Sequence, residues 1–335
     1  MFKIQYLLVG MAFLSLGCGG VSKDPAKNAP NFTLQVVRFD SAFFGMDTLH
    51  ISKEVANLKT KYPSFAEDFF TKILMVNPAK DSIAIKAFYR AYFPIYKDAL
   101  KTNAMQLEQV NMQEAYKRLH FYFPKYPLTH KVMTFVGPLE SYGNIVTKDA
   151  LALGLQMYLG ANSNWYYSDR IQTIYPTYLS RRFAPEYITV NSIQNLVNDI
   201  APENTTAAPL ITQIIEAGKR QFIINACMPN APDSIRFGYT QFQLVNLQKE
   251  ESQIWTYFLH NKLTYSTNPA DARAIMNEGV YSDVFGENIP ANLGKYLGYK
   301  IVEAWMQRKE NSGKTMEQLL NEPAEKLFES ARYTP

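Results

Sequence analysis

Cysteine is nearly absent from this chain. There are two, Cys18 and Cys227, too few for a disulfide framework, so the folded part must rest on its hydrophobic core. Histidine is scarce as well: His50, His120, His130 and His260 are the four, and no two are close in sequence. Neither sign of charge dominates. The 34 Lys and Arg against 30 Asp and Glu leave a net charge of +4, with no run of five basic residues. That balance argues against a nucleic-acid partner. Gly-rich phosphate loops, nucleophile elbows and calcium loops are missing too, which removes the common sequence signs of nucleotide binding, acyl transfer and calcium binding. Long apolar runs are lacking except for one, and that one opens the chain.

Met1-Phe2-Lys3 is a short basic start, followed by an apolar run from Ile4 to Leu16 and then Gly17-Cys18. The run is short for a spanning helix, and small residues sit where a peptidase would cut. The pattern predicts a lipoprotein signal peptide over 1–17 and acylation of Cys18, for instance by palmitate. Ser15 stands three places before the cysteine, where the usual lipobox has Leu. A plain secretory signal and a retained anchor are the alternatives. With Cys18 acylated, Cys227 has no intramolecular partner. It lies in the apolar stretch Ile223–Pro229 and reads as a buried, inert thiol. Residues 18–30 read as the lipidated cysteine and a flexible tether, since Gly19 to Pro30 holds one large apolar residue, Val21. Twelve such residues span roughly 20 Å on average and reach about 40 Å when extended.

The body reads as a single domain over 31–335. Phe32 to Phe39 predicts a first strand by imperfect alternation. Val55, Leu58, Tyr62, Phe65, Phe69 and Ile73 recur at helical spacing from about Ser52, with Pro63 as a break. Asp81 is placed to cap the next helix, whose apolar stripe is Ile85, Phe88, Tyr89, Tyr92 and Tyr96. A third helix from about Met105 to Phe121 buries Met112, Tyr116 and Leu119. Lys131–Val136, Asn144–Thr147 and the apolar stretch from Ala150 read as strands, separated by Gly137-Pro138 and Tyr142-Gly143. Residues 161–187 are aromatic and punctuated by proline, and beyond Asn191 the pattern is helical. The fold class is therefore α+β, mainly helical, with a small mixed sheet.

Several segments together resemble the gliding-motility lipoprotein B (GldB) family of Bacteroidetes. They are Val37-Arg38-Phe39-Asp40 with Phe43-Phe44; Leu153 to Gly160; Glu216 to Lys219 with Met228-Pro229, Asp233 and Gly238-Tyr239-Thr240; Glu251 to Phe258 with Leu263 to Thr267; Leu293 to Val302; and Leu327 to Pro335. Their order over nearly the whole mature chain carries the resemblance. It implies a lipoprotein of the cell envelope, lipid-anchored and facing the periplasm. It also implies a need for it in gliding motility, with protein partners in the gliding and type IX secretion apparatus. That family is in turn distantly similar to zincin-type metallopeptidases, which implies a degenerate zincin-like fold. Zincins carry His-Glu-x-x-His on a helix, because positions i and i+4 set two imidazoles on one face with the Glu beside the metal-bound water. This chain has no such motif. Its candidate helix, about Asn191 to Ile200, offers Asn195, Asn198 and Asp199, and Pro202 follows. The resemblance therefore implies a pseudo-peptidase without catalytic residues, metal or cofactor. The alternative is an envelope zinc-dependent hydrolase with atypical ligands.

Other candidates are weaker. Glu216, Glu250 and Glu251 could form an acid–base pair, against the commoner reading as surface carboxylates on helices. Trp165, Tyr166, Tyr167, Tyr175 and Tyr178 form the best candidate for partner binding, since Tyr and Trp bury much area with few rotors. The alternative is that these rings fill the core beneath a long loop. Gly294 and Gly298 lie on an amphipathic segment with Lys295, Lys300 and Glu303, which excludes a spanning helix and predicts close packing. Trp255 and Trp305 sit in apolar helical patterns and are expected in the core. Truncating either to Ala should cost roughly 3–5 kcal/mol, read as a lower denaturation midpoint.

Overall fold

The computed structural model describes residues 24–205 and 207–335. The expectations for the leader, Cys18 and the start of the tether fall on residues 1–23, outside the described residues. Four strands form the sheet: β1 (Gln35–Arg38), β2 (Lys131–Phe135), β3 (Asn144–Val146) and β4 (Leu151–Gly154). Their order is β1-β2-β4-β3. β2 runs parallel to both β1 and β4, with Val36 beside Val132 and Met133 beside Ala152. β3 lies antiparallel on the outer edge of β4. β4 is buried along its whole length, as expected for a strand flanked on both sides and covered by helices.

Between β1 and β2 come α1 (Phe39–Phe44), α2 (Ile51–Lys61), α3 (Pro63–Asp68), a π-helical turn (Phe69–Ile73), α4 (Ser82–Thr102) and α5 (Ala104–Tyr122). After β4 follow α6 (Asp169–Ile174), α7 (Thr177–Ser180), α8 (Ile188–Ile200), α9 (Leu210–Cys227), α10 (Asp233–Phe237), α11 (Gln241–Lys249) and α12 (Glu251–His260). The chain closes with α13 (Pro269–Met276), α14 (Leu293–Met306), α15 (Met316–Asn321) and α16 (Ala324–Ala331). This is the mainly helical α+β arrangement the sequence predicts. Among the described residues, no helix is long and apolar enough to cross a membrane.

Three local expectations need correction. The first strand is shorter than Phe32–Phe39, because the chain turns into α1 at Phe39. Arg38 grips Asp40 through Nε (2.9 Å) and Nη2 (2.5 Å), and Thr134 Oγ1 donates to the same carboxylate at 2.5 Å. Asp81 stands at the start of α4 but does not cap it; its carboxylate accepts from the Asn77 backbone N–H instead, at 2.7 Å. The tether is shorter than 18–30. Asp24 makes a two-pronged ion pair with Arg118 of α5, at 2.9 and 2.6 Å, and Ala26 and Ala29 are buried. An anchoring ion pair at Asp24 followed by the small side chains of Ala26 and Ala29 lets this stretch lie on the body, so packing begins by Asp24.

The aromatic residues of the N-terminal half converge on the sheet. Phe39 meets Phe65 and Phe69 edge-on, each at 4.9 Å between centroids, and Phe65 reaches Phe135 of β2 at 5.8 Å. Such ring pairs add directional attraction to area burial. Trp255 and Trp305 are core residues, and Trp305 Nε1 donates to Ser330 Oγ at 3.0 Å. In the C-terminal half α9 and α14 cross at Gly218 and Gly298. A Cβ on either glycine would overlap the backbone of the facing helix. Only hydrogen fits there. Gly298→Ala should therefore cost about 3 kcal/mol through overpacking, although Ala favours a helix by ~1 kcal/mol. Gly313, with open space around it, is the control: Ala there should stay within about 0.5 kcal/mol of the parent. Urea denaturation of the two variants checks this.

Candidate functional site

The aromatic stretch is positioned by β4 and the chain that leaves it. Tyr166 is buried: its hydroxyl donates to the Gln156 carbonyl at 2.8 Å and accepts from the Leu159 N–H at 3.0 Å. It is a strut beneath the loop and not a contact residue, which corrects its place among the partner-binding candidates. Trp165 is half-buried, with Nε1 donating to Asp98 of α4 at 2.9 Å. Tyr175 is half-buried too; it packs edge-on against Phe183 and donates to the Ser141 carbonyl at 3.2 Å. Tyr178 is partly exposed. Tyr167 is 51% exposed, and Ile174 and Tyr142 stand out beside these anchors. The rings thus divide between core and surface. Tyr142 was missed because it belongs to a different segment, joined to this one through the Tyr175–Ser141 bond and the Arg170–Glu140 ion pair.

The helix considered for metal binding is α8, and it lies against the edge strand β3. Asn195 Nδ2 donates to the Asn144 carbonyl at 3.3 Å, and Asn191 Nδ2 donates to Tyr158 Oη at 3.2 Å. Tyr158 in turn donates to Asn144 Oδ1 at 2.9 Å, and burial pushes its pKa up to about 12. This is a knot of neutral polar groups that fastens the helix to the sheet edge. Asn198 is exposed, and Asp199 accepts from Tyr126 at 2.6 Å, so α8 does not bring its polar residues to one point. The histidines are equally dispersed. His50 pairs with Asp47 at 2.6 Å, His120 and His130 lie beside Phe32, and His260 ends α12. Among the described residues, no three His, Cys, Asp or Glu side chains are grouped as a metal site would need.

Two of the carboxylates singled out, Glu216 and Glu251, are engaged elsewhere, and Glu250 precedes α12. Glu216 accepts from Lys219 at 2.6 Å. Glu251 accepts from Tyr333 at 2.5 Å and Tyr296 at 2.7 Å, tying the chain end to α14. An acidic groove of about 290 Å³ opens between α5, the start of α8 and the turn after α9, lined by Glu108, Glu114, Glu186 and Thr189. Inside it Thr189 donates to Glu108 at 2.6 Å, and Glu114 is bound by Arg118. Cys227 borders the groove, but burial holds its thiol well above the usual range and therefore protonated.

The model of a family described as gliding motility protein GldB matches residues 21–335. The chain belongs to that family. Membership gives it a gliding-motility role and the class of an envelope lipoprotein. No match is found among curated proteins or among solved structures.

One charged cluster in this family member escaped sequence reasoning because it is assembled from four separate segments. Arg182 faces Glu278 at 3.3 Å, Arg181 donates to the Gly238 carbonyl, and Lys295 Nζ donates to the Phe237 carbonyl at 2.7 Å beside the Tyr239 ring. Burial, partly offset by Glu278 and reinforced by Arg182 and Arg181, lowers the Lys295 pKa to about 8. A cation whose folded pKa is depressed binds fewer protons folded than unfolded. Its penalty is therefore full below pH 8 and fades as pH rises towards the unfolded value near 10.4. Between pH 8 and 10 the wild type should gain stability relative to Lys295→Met, measured by thermal melts of the two side by side. A constant difference would show that Lys295 is not desolvated as described.

Proposed function

We propose that this chain is a non-catalytic lipoprotein of the cell envelope. Acylated Cys18 holds it to a membrane, facing the periplasm. It serves gliding motility by binding protein components of the gliding and type IX secretion apparatus. The family match over residues 21–335 carries this reading. The dispersed histidines and the carboxylates already held by tyrosine, lysine and arginine support action by binding rather than turnover. The exposed aromatic group around Tyr167, with Ile174 and Tyr142, is the surface best suited to a protein partner. Exposed rings held by a rigid underlayer bury area at low entropic cost.

The test is genetic and chemical together. Cys18→Ser should lose labelling by a fatty-acid probe and leave the membrane fraction. Replacing His50, His120, His130 and His260 one at a time by Gln should leave gliding intact. Tyr167→Ala should reduce spreading without lowering the amount of protein. Loss of gliding in a folded histidine variant, with bound zinc lost alongside, would overturn the non-catalytic reading. Continued labelling of Cys18→Ser would overturn the anchor.

A further inference from the structure

The body is leashed much more tightly than the composition of its tether suggests. Asp24 is fixed to Arg118 and Ala26 is buried, so residues 19–23 alone separate Cys18 from the packed chain. Six Cα steps reach at most about 21 Å. A lipid anchor on Cys18 therefore brings one end of the molecule to the bilayer surface. That end is set by where the chain enters the fold: the rim from which β1, β2 and β4 start.

Four lysines gather on this rim. Lys27 lies in the turn closed by the Lys27 N–H to Asp24 carbonyl bond, beside Arg118. Lys131 opens β2 next to Gln35, the first residue of β1. Lys148 precedes Asp149, whose carbonyl accepts from Thr129 Oγ1 at 2.7 Å, so this turn sits beside the entry to β2. Lys125 follows α5 in the turn closed by Tyr126 N–H to the Phe123 carbonyl. All four lysines are exposed, and none has an ion-pair partner among the described residues. Asp149 is exposed among them, Asp24 and Asp199 are held by Arg118 and Tyr126, and Glu114 beside Arg118 is paired with Arg118 and Lys117. Phe121, 40% exposed, adds an apolar side chain at the end of α5. His120 and His130 flank the Phe32 ring between these groups, His130 stacked on it at 4.1 Å.

We infer that this rim, with Lys27, Lys125, Lys131 and Lys148 around Phe121, is a docking face for an anionic phospholipid surface, and that the acyl anchor and the face together fix the orientation of the body. The lipid anchor fixes one point of the body, and a basic patch supplies a second attachment. Each lysine near an anionic surface contributes about a five-fold gain in binding. The docked body would turn its exposed aromatic group sideways or away from the bilayer, free for a protein partner. The inference rests on acylation at Cys18.

The experiment uses the full acylated protein on vesicles of phosphatidylcholine alone and of phosphatidylcholine with 30% phosphatidylglycerol (~30% matching an anionic leaflet). Flotation with the neutral vesicles reports the anchor, and lysine acetylation read by mass spectrometry reports the face. Lys27, Lys125, Lys131 and Lys148 should be acetylated about three-fold or more slowly on anionic than on neutral vesicles, with Lys53 and Lys86 unchanged. In the triple variant Lys125→Glu, Lys131→Glu, Lys148→Glu, flotation should persist while Lys27 loses its protection. Flotation with equal acetylation of the four lysines on both vesicles would overturn the docking face and leave the anchor standing. Failure to float on neutral vesicles would overturn the anchor, and the inference with it.

Discussion

The contact between Gly218 and Gly298 sets the geometry of the C-terminal half. Two helix backbones can touch only where neither carries a side chain, and here α9 and α14 meet at such a point. Their flanking residues, Ile214, Leu297 and Ile301, close around the crossing and are wholly buried. The consequences spread outward. Because α14 lies so close, α16 can pack on both α9 and α14. The buried Lys219 ammonium, one residue after Gly218, finds its partners in Glu216 and in the carbonyls of Leu320 and Glu322, at 2.6, 3.3 and 2.6 Å. A buried ammonium is costly unless satisfied, so the chain between α15 and α16 is held to this spot. Gly294 completes the glycine face, where a Cβ would meet the flexible end of Met276, so this position is less constrained than Gly298.

The N-terminal half depends on a different device. Asp40 is fully buried in the first turn of α1 and is held by Arg38 from the end of β1 and Thr134 from β2. The bonds to the carboxylate favour the charged guanidinium and raise the pKa of Arg38 further. One acid thus joins two parallel strands and starts α1, and the Phe39–Phe43–Phe69 rings are delivered to the core beside it. The two halves meet where α8 lies on β3 through neutral amides and the Tyr158 hydroxyl. Such a polar seam offers bonds in fixed directions but neither a free base nor a charged ligand.

Periodic, apolar elements were legible because the pattern that makes them is local in sequence, even where their partners are distant: the helices around Leu58, Tyr116 and Trp305, the strands at Val132 and Leu151, and the burial of Trp255. The helix beginning at Ser82 was legible too, yet the role of Asp81 was not, because the Asn77 N–H and the first N–H groups of the helix compete for one carboxylate and local pattern does not decide between them. Tyr166 and Tyr167 are adjacent and alike in composition, but one is a buried strut and the other is exposed. Only the position of Gln156 and Leu159 separates them. The Lys295 cluster, gathered from residues between 181 and 295, left no local signal at all.

The sequence by itself determined the fold class, the family, the balance of charge and the scattering of histidine, since these depend on residue type and order along one chain. It also determined that the two glycines of α14 are packing residues, because charged neighbours leave them no membrane role. The tertiary structure alone decided which ends are joined. It laid Asp24 on Arg118, 94 residues away, and so shortened the tether; it also gathered lysines from four segments on one rim. Composition makes residues 24–30 look free because small and polar side chains lack a driving force of their own. The anchor is Arg118 of α5, which stands beside Asp24 only once the chain has folded, and Ala26 and Ala29 are buried with it.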